Sequence, residues 1–356
     1  MLSQILSISR VLILALLLVT LTPAGWSQQT TVQSVLAPAV WSDTQIRATG
    51  VTWPVDCHSS SGVYFRQPSG GESWTFAPIT ALLPSGQSQV FDLRAATNYQ
   101  QPVLGTTFYV NAQGTIYAAI QIGRETQWYI AQYDRAGTFV RRTALPARFM
   151  PSFLLSLPED RLLVGGTFAR SSGKETHVKS LVAIFDKDGN QLKSLSLPED
   201  DSAETVVKEE AVKQLYYTVR NPAIEGGKAV LADDGNVYIL RASEKPVVQV
   251  VNPKGDTLRT FVLEPGNAAL LPTVLAVYKD SVAVGYFWNR ADNICPTAGQ
   301  LILYSPQSGN VITRYSVKLS PMIFVCAQGR DLVYLTNPKG TQNYKISRVS
   351  IPISPD

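Results

Sequence analysis

Short segments in which apolar and polar residues alternate recur along almost the whole chain, and each is bounded by turn-forming residues. Residues 115–119, 161–165 and 236–240 are examples. Alternation with a period of two is typical of β-strands, and glycine together with aspartate or asparagine is typical of the hairpin turns between them. The pattern therefore predicts a succession of β-hairpins.

The turn signals fall at two equivalent places in successive units of about 50 residues, and units of this length made of short strands are typical of blades stacked around an axis. The first turn of each unit lies at Ser61-Gly62, Gln113-Gly114, Glu159-Asp160, Asp234-Gly235, Lys279-Asp280 and Gln328-Gly329. The second turn follows about 20 residues later, at Pro84-Ser85-Gly86, Asp134 to Gly137, Asp186 to Gly189, Asn252 to Gly255 and Ser305 to Gly309.

The last unit is one strand short. It contains β-prone segments at residues 331–335 and 344–351 and reaches Pro352 where the other units turn again. A ring of blades must close to remove its exposed edges, so a segment from elsewhere has to supply the missing strand. We expect residues 30–36, left over before the first unit, to be that outer strand.

The predicted fold is therefore all-β: a six-bladed β-propeller with four-stranded antiparallel blades, closed by an N-terminal strand. We expect one domain over residues 28–356, with an insertion at residues 198–227. A seven-bladed ring would need a degenerate blade within residues 198–226, but this stretch is more charged than a blade strand. Residues 201–215 show helical spacing and predict either a short helix over the pore or a solvated surface insertion.

Residues 1–27 have the pattern of an export signal, with Arg10 before an apolar run at residues 11–21 and the small residues Gly25 and Ser27 after it. The run is too short to span a bilayer. An uncleaved membrane anchor is the alternative. We expect a secreted or periplasmic protein with no membrane span after processing.

The formal net charge is +4, and basic residues form no run longer than pairs such as Arg141-Arg142. A nucleic-acid-binding protein is expected to carry a basic patch or stripe, so the sequence predicts no nucleic-acid partner.

Three cysteines in an exported chain leave one unpaired if a disulfide forms. Cys57 and Cys326 each lie near the end of an innermost strand, in the first and sixth units, which are neighbours in a closed ring. We predict a Cys57–Cys326 disulfide, with Cys295 as the free thiol. The alternative, that Cys57 and Cys326 are small buried hydrophobic residues, stays open.

The sequence shows no motif that identifies catalytic or metal-binding residues. His58 and His177, the only histidines, have no second ligand at the spacing of a zinc or copper site. There is no Gly-x-Ser-x-Gly motif, and the glycine pairs at Gly70 and Gly165 lack the Gly-Lys-Ser or Gly-Lys-Thr of a phosphate-binding loop. We therefore predict no cofactor and assign no catalytic residue.

In a propeller the two turns of every unit lie on one face, and the longer connections at residues 97–104, 146–151, 171–179, 198–227 and 289–299 lie on the other. Irregular loops on a rigid scaffold are a usual place for binding residues. Each candidate also has the simpler interpretation of an ordinary loop residue. The candidate ligand-binding residues are Arg148, Arg220, Glu225 and Arg290 around the central opening, with Tyr99 and Trp288 as stacking surfaces.

The outer-hairpin turns at Asp134 to Gly137, Asp186 to Gly189 and Asn252 to Gly255 resemble those of the six-bladed NHL and TolB-like propellers. That superfamily includes calcium-dependent lactonases, but their metal-binding carboxylates do not match this chain residue by residue. We expect an exported binding or scaffold protein that presents its loops to a protein, peptide or glycan. The alternative, implied by the resemblance alone, is a lactonase-like hydrolase with calcium in the central channel.

Overall fold

The computed structural model describes residues 35–36, 39–47, 52–58, 62–66, 77–83, 85–123, 127–172, 175–195, 205–208, 228–241, 245–289, 298–318, 322–336 and 343–351. All of them belong to one compact unit spanning Val32–Asp356. The predicted signal segment, residues 1–27, lies outside the described residues.

Two strands precede the blades: β1 (Val35–Leu36) and β2 (Ala39–Arg47). The first half of the ring is built from β3 (Thr52–His58), β4 (Gly62–Arg66), β5 (Ile79–Leu82) and β6 (Ser88–Phe91) in blade 1; β7 (Val103–Val110), β8 (Ile116–Ile122), β9 (Trp128–Tyr133) and β10 (Phe139–Ala144) in blade 2; and β11 (Phe149–Leu157), β12 (Arg161–Ser172), β13 (Glu175–Phe185) and β14 (Gln191–Ser194) in blade 3. An additional strand, β15 (Thr205–Lys208), follows blade 3.

The second half of the ring follows the same order, inner strand first. It is built from β16 (Lys228–Leu231), β17 (Val237–Arg241), β18 (Val247–Val251) and β19 (Thr257–Val262) in blade 4; β20 (Leu270–Val277), β21 (Val282–Asn289), β22 (Ala298–Tyr304) and β23 (Val311–Lys318) in blade 5; and β24 (Met322–Gln328), β25 (Asp331–Thr336) and β26 (Asn343–Ser350) in blade 6. The predicted all-β, six-bladed propeller with four-stranded antiparallel blades is thus confirmed.

The turns form where the sequence predicts them, because their residues tolerate left-handed backbone or cap the turn. Gly114, Gly137 and Gly189 have φ of 82°, 90° and 88°. The first turn of blade 3 has no glycine, and Glu159 and Asp160 take positive φ instead, within the three residues that separate Leu157 from its partner Arg161.

The second turns share one hydrogen-bond pattern, which explains their recurring Asp or Asn. Asp134 Oδ1 accepts from the main-chain N–H groups of Ala136 and Thr138, at 2.9 and 2.8 Å. Asp186 and Asn252 make the same pair of bonds in blades 3 and 4. A side chain that bonds its own turn favours the turn locally, independently of the rest of the fold.

A β-bulge follows the second turn in blades 2 to 5, and each bulge places an exposed aliphatic side chain on the outer strand. The bulged residues are Val140, Leu192, Leu258 and Ile312. A bulge twists an edge strand and interrupts its ladder, which hinders pairing with another molecule.

The blades pack face to face, and alternate residues of one strand serve two different interfaces. On β12, Leu162 and Val164 pack towards blade 2, whereas Leu163 packs towards blade 4. The inner strand of blade 3 approaches β12 so closely that a Cβ on Gly165 would collide with the Phe153 ring, at 2.2 Å. The absence of a side chain at Gly165 therefore leaves space for the Phe153 ring against the main chain of β12.

Ring closure uses a different segment from the predicted one. β2 pairs antiparallel with β26 and is the outer strand of blade 6, so closure by an N-terminal strand is confirmed. The choice of residues 30–36 was wrong: Val35–Leu36 pairs in parallel with β23 and extends blade 5. The nine residues of β2 match the eight of β26, whereas the two of β1 do not.

The insertion after blade 3 contains a strand where the sequence suggested a helix. Within residues 201–215, the described part is β15, which pairs antiparallel with β13 from Glu175 to Val178. Pairing with an available strand edge satisfies main-chain groups that a short isolated helix would leave to water.

The cysteines near the ring closure agree in part with the prediction. Cys326 is buried and disulfide-bonded. Its strand, β24, lies against β3, which contains Cys57. The identity of the partner stays a prediction, and Cys295 lies outside the described residues.

We predict that a chain starting at residue 48 loses cooperative unfolding, because blade 6 would lack β2 and expose the edge of β26. A chain starting at residue 38 lacks only β1 and should unfold cooperatively with a modestly lower melting temperature. Thermal unfolding followed by circular dichroism distinguishes them. Equal melting of the two chains would contradict closure by β2.

We further predict that Cys57 is bonded to Cys326. Peptide mapping of the non-reduced protein should recover one linked pair from β3 and β24 and an alkylated Cys295. A linkage of Cys295 to either of the other cysteines would show that the assignment is wrong.

Candidate ligand-binding face

The two faces of the ring differ in structure. The turn face contains the regular hairpin turns, whereas the loop face contains the links between blades and those between the second and third strands of each blade. The described loop-face segments include residues 92–102, 145–148 and 263–269. Irregular structure is therefore concentrated on one side of a rigid scaffold.

Blade 3 extends beyond the others on the loop face. β12 and β13 have 12 and 11 residues. β11 pairs with β12 only as far as Phe149 and Phe168. Beyond that point β13 pairs with β12 on one side and β15 on the other. We call this extension, formed by residues 168–172 and 175–179 with β15, the flap.

The flap replaces a loop that the sequence predicted at residues 171–179. Its strands contain all of that range except residues 173–174, which lie outside the described residues. His177, expected in a loop, lies in β13 opposite Arg170 and Val206. The alternation through Thr176 and Val178 is a strand signal, but the polar run Ser171 to Lys174 obscured it.

The flap has one buried and one exposed face. Ala169, Thr176 and Val178 share the buried face, and Thr176 is fully inaccessible. Side chains opposite one another across the strands share a face, so Arg170, His177 and Val206 lie together on the other one. Arg170 is exposed there and Val206 is 53% exposed. This second face combines cationic and aliphatic groups.

Arg148 lies at the base of the flap, directly before the inner strand β11. Its φ is 62°, although it is not a glycine. Left-handed backbone costs a residue with a Cβ about 1–2 kcal/mol. The main-chain carbonyl accepts a hydrogen bond from Ala169 N–H at 3.1 Å, so the conformation is fixed by the flap, and the side chain is half-buried.

Tyr99 lies on the preceding link, between blades 1 and 2. A short 3-10 helix, Leu93–Thr97, ends at left-handed Asn98, and Tyr99 follows with φ 63°. The Tyr99 ring is 64% exposed, with the Arg94 guanidinium carbon 5.9 Å from its centroid. An exposed aromatic ring in a fixed backbone conformation is a suitable stacking surface.

Asp92 holds Arg94 in place beside that ring. Its carboxylate accepts the Arg94 main-chain N–H at 2.9 Å and pairs with the guanidinium at 2.6 Å. The hydrogen bonds from Arg94 lower the pKa of Asp92 below its ordinary value, and partial burial opposes that shift. The Asp92–Arg94 pair thus holds a guanidinium group beside the Tyr99 ring. Neither Asp92 nor Arg94 was selected from the sequence.

The structure describes only part of the predicted ligand set. Tyr99 and Arg148 both lie on the loop face, on successive links between blades. Trp288 lies in β21, opposite Leu271. Arg220, Glu225 and Arg290 lie outside the described residues. The binding roles of the six candidates stay predictions.

Charge is distributed unequally between the faces, as far as the described residues show. The acidic residues of the loop-face segments are Asp92, Glu175 and Glu264, and the basic ones are Arg94, Arg148, Arg170, Lys179, Lys228, Lys245 and Lys318. Asp92 pairs with Arg94, and Glu264 with Arg314 at 3.7 Å. The turn face carries the acidic residues Asp134, Glu159, Asp160, Asp186, Asp188, Asp233, Asp234, Asp256, Asp280 and Asp331 and the basic residues Arg135, Arg161, Lys187, Lys254, Lys279 and Arg330. The described loop-face segments are net basic. On the turn face, Asp160, Asp256 and Asp331 are paired with Arg141, Lys193 and Arg348 of the adjoining strands, so its acidic residues are largely compensated.

The residues that the structure describes contain no group of three or more histidine, cysteine, aspartate or glutamate side chains placed to hold a metal ion. Among the same residues, no helix has the length and hydropathy to cross a membrane.

No protein-family model and no curated protein matches the chain. Solved structures do match, including a protein of unknown function from Dyadobacter fermentans DSM 18053, with 8% identity over 81% of this chain and 90% of that one and a TM-score of 0.49. The WD40 β-propeller domain of Doa1 matches with 11% identity over 82% and 91% and a TM-score of 0.39. YCF48, solved with a bound D1 peptide, matches with 12% identity over 82% and 76% and a TM-score of 0.39. At these identities the likeness concerns the fold alone, and the narrower NHL and TolB-like resemblance stays a prediction.

We predict that Arg94→Ala raises the pKa of Asp92 towards its ordinary value, because the variant removes the guanidinium hydrogen bonds and charge that lower it and keeps only the main-chain N–H bond. A carboxyl with a lowered folded-state pKa stabilises the protein above its unfolded pKa of about 3.9, and that contribution is lost as the pH falls through the folded value. NMR titration of Asp92 measures the shift. Lys187→Ala, on the turn face, is the control and should leave it unchanged; an unchanged pKa in Arg94→Ala would contradict the assigned cause.

Proposed function

We propose that this chain is an exported β-propeller binding or scaffold protein whose loop face receives a protein, peptide or glycan. The observation that carries the proposal is the location of left-handed, non-glycine backbone outside the hairpin turns. Strained residues kept by their surroundings concentrate at functional sites.

Five described non-glycine residues have positive φ: Asn98, Tyr99, Arg148, Glu159 and Asp160. Glu159 and Asp160 form a hairpin turn, and Asn98 ends the short helix, so the local structure explains these three. Tyr99 and Arg148 belong to no hairpin turn. Both lie on the loop face, and both have side chains suited to ligand contacts.

Export is supported by the chemistry of Cys326 as well as by the signal-like N-terminus. Disulfides persist in oxidising compartments outside the cytoplasm. A disulfide-bonded Cys326 agrees with a secreted or periplasmic location. Among the described residues, no observation favours the lactonase-like alternative.

We predict that the double variant Arg148→Ala and Arg290→Ala loses binding to ligands that the wild-type protein recognises on peptide and glycan arrays. The matched turn-face variant, Lys187→Ala and Lys254→Ala, should keep binding, because both lysines are exposed on the opposite face. Substitution of exposed residues away from special features usually changes stability by less than about 0.5 kcal/mol, so the melting of this turn-face control should hardly change. If the turn-face variant lost binding and the loop-face variant kept it, the proposed polarity would be wrong.

A further inference from the structure

We infer that the loop face takes an extended acidic peptide, which adds as a strand to the inner edge of the flap beside Arg148. The inference rests on the proposed function and specifies the ligand class. Three features carry it: the direction of the main-chain groups of β12, the cations next to them, and the net basic charge of the described loop-face segments.

The main chain of β12 continues beyond its inner neighbour. Ala169 N–H donates to Arg148 O at 3.1 Å, so the polar groups of Ala169 point towards the β11 side, away from β13. In an antiparallel ladder these directions alternate residue by residue, so the N–H and C=O of Ser171 point to the same side. β11 begins at Phe149 and does not reach Ser171.

Among the described residues, this edge has neither a bulge nor a proline, which are two usual protections of an exposed strand. β12 pairs with β13 in continuous register from Leu162 to Ser172, without a bulge, and contains no proline. On the β11 side of β12, no strand among the described residues pairs beyond Phe168. An unpaired, regular edge is a template for strand addition, in which main-chain hydrogen bonds give affinity and side-chain contacts give specificity.

The side chains next to the edge select for negative charge. Arg170 is exposed on β12, with His177 opposite it and Lys179 nearby on the same face. Directly opposed side chains on adjacent strands lie about 5 Å apart, so an acidic side chain on the added strand would reach Arg170. Glu175 is the only acidic residue among the described residues of the flap.

Arg148 adds a second cation at the base of the same edge. Its left-handed backbone is held by the hydrogen bond from Ala169 N–H. Arg148 is therefore bonded directly to the part of β12 where the edge begins. A peptide is favoured over an acidic glycan because a glycan has no regular series of amide donors and acceptors to match a strand edge.

The test uses the mature protein and a fluorescein-labelled decapeptide of alternating glutamate and threonine, with a lysine–threonine decapeptide as the charge control. We expect the acidic probe to bind, the basic probe not to bind, and added salt to weaken binding. Arg170→Glu should weaken binding about tenfold or more, since it replaces attraction by repulsion. Lys187→Glu, on the turn face, should change affinity less than about twofold.

Ser171→Pro tests the main-chain contact separately from charge. Proline removes the N–H that points away from β13, so the β12–β13 ladder is kept while the added strand loses a donor. We expect about tenfold weaker binding for Ser171→Pro and none of this loss for Ser171→Ala, which keeps the N–H. Circular dichroism melting of each variant checks that the domain is intact.

A folded wild-type protein that does not bind the acidic probe would overturn the inference. Equal binding by Ser171→Pro and Ser171→Ala would overturn strand addition, and binding of an oligogalacturonate instead of the peptide would identify an acidic glycan as the ligand. If the acidic peptide fails while Arg148→Ala with Arg290→Ala still loses its array ligand, the proposed function stands and only the ligand class is wrong.

Discussion

Each blade is a four-stranded sheet with apolar groups on both faces, and neither face is stable in water alone. Leu162 and Leu163, adjacent on β12, pack into different interfaces, so one strand contributes to the cohesion of three blades. This two-sided burial makes the ring a single cooperative structure, and it explains why closure cannot be omitted. A missing outer strand in blade 6 would weaken the interfaces on both sides as well as one edge.

The blades could be predicted from sequence because their signals are local and repeated. Asp134, Asp186 and Asn252 bond their own turns, so the same short pattern specifies the same hairpin wherever it occurs. Closure depended on a long-range pairing. β2 has a polar middle and pairs with β26 through irregular register, so it has no clear alternation, whereas the more apolar segment before it extends blade 5.

The candidate site was harder to predict for a related reason. Tyr99 and Arg148 were selected as loop residues, but their left-handed backbone has no sequence signature. Arg148 is held by a carbonyl bond to Ala169, twenty-one positions further along the chain, and the flap that provides it depends on β15. The pair of Asp92 and Arg94 is local, yet its significance appears only when the Tyr99 ring is seen beside it. Chemistry arising from distant contacts is visible only in the folded structure.

The antiparallel pairing of β2 with β26 also has a mechanical consequence. Ala39 lies opposite Arg348, so the chain enters β2 and leaves β26 at the same end of the blade. A tension that separates the two ends of the domain therefore peels this ladder open one hydrogen bond at a time, whereas a shearing load would have to break many bonds together. The closure is accordingly strong against thermal fraying in the middle of the strand and weak against pulling from the ends. Cys326 lies on the innermost strand of the same blade, so peeling of β2 leaves the disulfide-bonded inner wall of the ring in place.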